Sequence, residues 1–156
     1  MIIQKKKRVI LMVKILVFLT FAINYLYNLK CKQQNKINVK IQSKIILIIS
    51  VFAIVVFVIC YKFDNTLLGY LVAIFATASI YSSVFYQGIS EKGINITMNA
   101  TTILKFVRFD EIKKINIEKK NDDLQIKIYV YGNTFTQIYD SDDEDEIRYI
   151  LKQRLR

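Results

Sequence analysis

Two long apolar runs, Ile45 to Tyr61 and Thr66 to Tyr86, stand almost back to back in this sequence, parted only by Lys62, Phe63, Asp64 and Asn65. Between Lys44 and Tyr86, Lys62 and Asp64 are the only charges. A helix needs roughly 17 to 25 apolar residues to cross a hydrocarbon layer ~30 Å thick. Any segment that does so must satisfy each backbone N–H and C=O internally, and these runs are too long and too uniformly apolar to be barrel strands. The spacing therefore predicts a transmembrane helical hairpin with spans at 45–61 and 66–86.

Upstream, Lys5, Lys6, Lys7 and Arg8 precede a third run, residues 9–29, interrupted by Lys14, Thr20, Asn24 and Asn28. The run is long for a signal peptide and no small-residue cleavage site follows it, so a retained helix is expected. Lys14 lies near one end, where its stem can snorkel toward headgroups. It is expected to be a third span, 9–29, with an interfacial or re-entrant helix as the alternative. Residues 30–44 form a polar linker with Lys30, Lys32, Lys36, Lys40 and Lys44.

With 156 residues and 53% apolar content, the chain has room for one membrane region, residues 1–86, and one small water-facing domain, residues 87–156. The formal charge of +10 resides in the first region, where Asp64 is the sole acid; beyond Tyr86 acids and bases cancel. Such flanking charge orients helices and attracts anionic headgroups, so the expected partner is the bilayer and nucleic acid is not. Both the linker and the Lys5 to Arg8 cluster favour the cytoplasmic side, yet three spans would separate them. Placing the linker inside makes the C-terminal domain cytoplasmic, in a multi-pass plasma-membrane protein.

Along the second hairpin helix, Gly69, Ala73, Ala76 and Ser83 make a stripe of small residues that permits close helix approach. It is expected to seat this helix against its hairpin partner, with self-association as the alternative. The membrane region has no proline to break a helix, which weighs against a transporter built from discontinuous helices.

After Gln87 the period changes to two. Ile94, Ile96 and Met98 alternate with Asn95, Thr97 and Asn99; residues 102–109 and 112–119 follow. Lys120 to Asp123 reads as a turn, and Leu124, Ile126, Ile128 and Val130 alternate with polar or aromatic neighbours. Gly132-Asn133 reads as the next turn, and 134–139 as the last strand. Five strands in one antiparallel meander are expected. Ser141 and Glu144 have capping-box spacing, and Ile147, Ile150, Leu151 and Leu155 fall on one helical face that should cover the sheet. The fold class is thus α+β: two to three transmembrane helices, a small sheet and a C-terminal amphipathic helix.

A Gly-Ile pair, Gly93-Ile94, opening the first strand, and the stretch Phe106 to Ile115 leading into the central strands, together with the preceding hairpin, resemble a family of small bacterial membrane proteins carrying PH-like domains. The resemblance covers Ile45 to Arg156. It implies a PH-like half-barrel, because five expected strands fall short of the seven of a full PH domain. No basic phosphoinositide-binding loop is recognisable, so headgroup recognition does not carry over.

The chain has no histidine, the commonest general base at neutral pH and the commonest metal ligand. It shows no phosphate-binding glycine loop, no zinc-spaced cysteines and no nucleophile elbow. Cys31 and Cys60 make no disulfide framework. The acidic run Asp140 to Glu146 lacks the glycine and distal glutamate of a calcium loop and reads as a helix start. No catalytic residue, cofactor or metal is expected. Tyr129, Tyr131, Phe135 and Tyr139 form a candidate interaction face on the strands. The expected function is a non-enzymatic membrane protein presenting a PH-like interaction domain for a protein partner or a second copy. Protection against membrane-active peptides and a part in a transporter are the alternatives.

Overall fold

A computed structural model describes residues 2–98, 101–120 and 123–154, excluding the side chains of Ile2, Ile3, Lys5 and Lys6. Asn99, Asn121, Asp122, Leu155 and Arg156, named above, lie outside the described residues. Among the described residues, three helices are long and apolar enough to cross a membrane. They are α1 (Ile2–Gln34), α2 (Ser43–Phe63) and α3 (Leu67–Phe85). The helix α1 extends past residues 9–29 at both ends and absorbs the first part of the basic linker. It runs parallel to α3: Lys14 meets Asp64, Phe18 meets Phe75, and Asn28 meets Ser82. At the hairpin tip Thr66 caps α3 by accepting from the Gly69 N–H at 3.2 Å. Gly69 is required there, because an added Cβ would collide with the backbone and carboxylate of Asp64. Small residues let this helix lie close to its neighbours: Gly69, Ala73 and Ser83 are buried and Ala76 half-buried within the chain.

The single five-stranded meander is corrected to two antiparallel sheets. One has the order β1 (Ile37–Asn38), β2 (Gly88–Ile89), β3 (Gly93–Thr97), β4 (Leu104–Arg108). The other has β5 (Lys114–Lys120), β6 (Asp123–Val130), β7 (Asn133–Asp140). The extra strands come from two-residue segments too short for any periodicity to mark. One of them, β1, lies in the basic linker, so the sheet takes a strand from before the hairpin as well as after it. Pairing of Ile37 with Ile89 and Asn38 with Gly88 closes the base of the hairpin.

The α4 helix (Glu144–Arg154) follows a short 3-10 turn, Ser141–Asp143. Its Ile147, Ile150 and Leu151 are buried, at the i, i+3, i+4 spacing that puts them on one face. They join Ile94, Ile96 and Val107 of the first sheet and Leu124, Ile126, Ile128 and Val130 of the second in one core. Full burial of each such side chain contributes about 1.5–3 kcal/mol.

The β6–β7 turn is also corrected by one residue. Val130 pairs with Asn133, leaving Tyr131 and Gly132 as the two turn residues, with φ of 52° and 75°. Both values are positive, as a type I′ hairpin requires. Gly132 adopts this freely, whereas Tyr131 is held there against its own preference. Its hydroxyl donates to Glu111 at 2.5 Å, and the Lys105 ammonium lies 3.9 Å from its ring centroid.

Gly93 pairs with Arg108 at the start of β3, and a Cβ there would be driven into the Val107 carbonyl oxygen. Backbone cannot yield as a flexible side chain does. Gly93→Ala should therefore lower stability by about 1–3 kcal/mol in denaturant titrations of the detergent-solubilised protein.

Candidate functional site

Polar side chains are scarce in the helices, and three of them, Asn24, Asn28 and Ser82, come together where α1 and α3 meet the first sheet. The Asn28 side chain is fully buried. Its amide donates to Ser82 Oγ at 2.9 Å and to the Thr102 carbonyl at 2.7 Å, and its Oδ1 accepts the Leu104 N–H at 2.9 Å. One turn earlier, Asn24 donates to Thr102 Oγ1 at 3.2 Å. Leu104 packs with Cys31, Ile49, Phe85 and Tyr86, so β4 begins inside the head of the helix bundle.

A second set of amides extends inward from the end of α1. Asn95 of β3 donates to the Cys31 carbonyl at 3.2 Å and to Asn35 Oδ1 at 2.7 Å. Gln137 of β7 donates to the Asn95 carbonyl at 2.8 Å and to Gln87 Oε1 at 3.0 Å, and accepts the Tyr139 hydroxyl at 2.5 Å. Bonds of this kind matter because a buried amide without partners is costly. The network links α1, both sheets and the exit of α3. Its amides were not among the candidate site residues; Asn24 and Asn28 stood out as interruptions of an apolar run, and Asn24, with Lys14, as what the transporter alternative would need.

The basic residues divide by role. Lys7, Arg8, Lys30, Lys32 and Lys44 are exposed, and Lys32 sits 4.5 Å from the Tyr86 ring centroid. Lys36 and Lys40 face the domain's acids instead of simply flanking the membrane. Lys36 approaches Glu146 at 3.7 Å, and Lys40 bridges Asp123 at 2.7 Å and Asp140 at 2.8 Å. These two carboxylates hold the Lys40 ammonium pKa above its ordinary value. The linker thus runs along the domain, with the Lys40 N–H donating to the Ile138 carbonyl at the β7 edge.

The proposed aromatic face does not assemble as one surface. Phe135 and Tyr139 are buried, opposite Ile128 and Leu124, whereas Tyr129 is half-buried and Tyr131 exposed. Strand parity turns Tyr129 away from the inward positions 124, 126, 128 and 130, and Tyr131 lies beyond the strand in the turn. Ser141 opens the 3-10 turn, which has no side-chain cap. Instead of completing a capping box, Glu144 accepts from Arg148 at 2.9 Å and Lys119 at 3.3 Å. Among the described residues no group of His, Cys, Asp or Glu is placed to hold a metal ion.

A groove of about 670 Å³ lies between β5 and α4, lined by Ile115, Ile117, Tyr149, Leu151 and the charged Asp145, Arg148 and Lys152. It borders β5, an edge strand of its sheet.

Two predictions follow from these contacts. Asn28→Leu leaves the Leu104 N–H and Ser82 without their partner, which should cost about 1–3 kcal/mol and speed hydrogen exchange at the Leu104 amide. The Arg148 and Lys119 bonds hold the Glu144 carboxyl below the ordinary glutamate range. Because the folded value is the lower one, this stabilisation is present above the unfolded value near ~4.3 and is lost as pH falls through the folded value. Glu144→Gln should therefore flatten the acid limb of a stability–pH profile.

No family model, no curated protein and no solved structure matches this chain.

Proposed function

We propose that this chain is a non-enzymatic integral membrane protein of the plasma membrane that presents a cytoplasmic PH-like domain to a protein partner. The observation that carries this reading is the edge strand β5 alongside the groove of α4. An extended segment of a partner, or of a second copy, can add to such an edge through main-chain hydrogen bonds, while the groove takes alternate side chains. Ile115 and Ile117 are half-buried and Tyr149 is 62% exposed, giving the groove apolar anchors beside charged ones. Seven short antiparallel strands in sheets of four and three, closed by a C-terminal helix, support the PH-like reading. Exposed Lys30, Lys32 and Lys44 at the domain end of the helices favour the cytoplasmic side for that domain.

A photo-crosslinking residue in place of Tyr149 should yield a discrete adduct in cells. The adduct should disappear in Ile117→Lys, provided its melting temperature matches the parent, and persist in Thr136→Lys. A strictly monomeric protein giving no adduct would refute the reading. For orientation, a cysteine at exposed Thr134, in a chain with Cys31 and Cys60 replaced by alanine, should resist a membrane-impermeant thiol reagent until the cells are permeabilised; labelling of intact cells would place the domain outside.

A further inference from the structure

We propose that residues 101–103, leading into β4, are a second membrane contact, with Ile103 seated in the boundary between headgroups and acyl chains. The inference rests on the reading of α1, α2 and α3 as spans.

Depth along α1 supplies the argument. A helix rises about 1.5 Å per residue, so Asn28 and Asn24 lie roughly 3 Å and 9 Å below Lys30 on the membrane side. Lys30 is exposed at the domain end of the helix, and Lys44 and Tyr86 mark the corresponding ends of α2 and α3. Thr102 is fixed to this stretch: its carbonyl accepts from Asn28 at 2.7 Å and its hydroxyl from Asn24 at 3.2 Å. The headgroup zone occupies roughly 5–7 Å on each side of the hydrocarbon. A segment held beside Asn24 and Asn28 therefore reaches the depth of that zone and its inner border.

The side chains there suit this position. Leu104 turns inward, 1% exposed, among the helices. Its neighbour Ile103 projects the other way and is 44% exposed. The Thr101 N–H donates to the Met98 carbonyl at 3.2 Å and its hydroxyl to the same carbonyl at 3.1 Å. Backbone polar groups near lipid are costly unless paired, and here the Thr102 carbonyl, the Leu104 N–H and the Thr101 N–H each have a partner. On α1 itself, Ile23 and Leu26, at the level of Asn24 and Asn28, are likewise 63% and 60% exposed. An exposed apolar side chain next to Thr102, itself fixed at this depth by Asn24 and Asn28, assigns the bilayer as its occupant.

The test uses the full chain in phosphatidylcholine–phosphatidylglycerol vesicles, with Cys31 and Cys60 replaced by alanine and one environment-sensitive fluorophore per variant. Probes go on Ile103→Cys and, as a second site less demanding of packing, Thr101→Cys. Ile54→Cys in the middle of α2 is the lipid control and Thr134→Cys the aqueous control. The 103 probe should show blue-shifted emission and lose intensity to lipids spin-labelled near the carbonyl, with little loss to aqueous iodide. The 101 probe should show the same preference more weakly. Iodide quenching of both at the level of position 134, with position 54 quenched by lipid, would overturn this inference alone. Iodide quenching at position 54 would overturn the spanning reading and this inference with it.

Discussion

The amide of Asn28 is the contact on which the rest of the molecule depends. It sits fully buried on a helix apolar enough to cross a membrane, and all three of its hydrogen bonds leave that helix. Two reach Thr102 and the first residue of β4, and one reaches α3. A polar side chain in such surroundings is tolerated only when it is paired, and here pairing is possible only if the sheet docks in one position. The domain is consequently clamped to the helices. From the same end of α1 the Asn95 and Gln137 amides carry the connection through β3 to β7, so the two sheets share one polar spine as well as one apolar core.

Chain order reinforces the clamp. The strand β1 enters the sheet immediately before α2, and β2 enters it soon after α3. Their pairing ties the two ends of the helical hairpin together at its base, while Thr66 and Asp64 organise its tip and Asp64 meets Lys14 of α1 at 2.5 Å. The hairpin is thus held at both ends. The second sheet, joined to the first through the shared core and the Gln137 to Asn95 bond, is thereby tied to the helices as well.

Much of this was legible from residue pattern alone. The apolar runs announced their helices because length and hydrophobicity leave a segment few other options. Strict alternation from Leu124 to Val130 marked β6 and named its buried face, and Ile147, Ile150 and Leu151 marked the buried face of α4. Two-residue strands carry no period, so β1 and β2 were silent, and Ile37-Asn38 passed for linker. The β6–β7 turn was misplaced by one residue because Tyr131 is a poor candidate for positive φ; contacts to Glu111 and Lys105, remote in sequence, hold it there. The aromatic face failed for a related reason. Residue type suggested a surface, but register with β6 sends Phe135 and Tyr139 into the core.

The sequence by itself determined three candidate membrane helices, a strand-rich segment after them and a covering amphipathic helix, because hydrophobic periodicity is a local property of consecutive residues. Tertiary structure alone decided that the strands split into two sheets, that Lys36 and Lys40 face the domain's acids, and that Asn24 and Asn28 are the joint between helix and sheet. Those outcomes depend on which distant groups can satisfy a buried amide or a charge, and such pairing exists only once the chain has closed on itself.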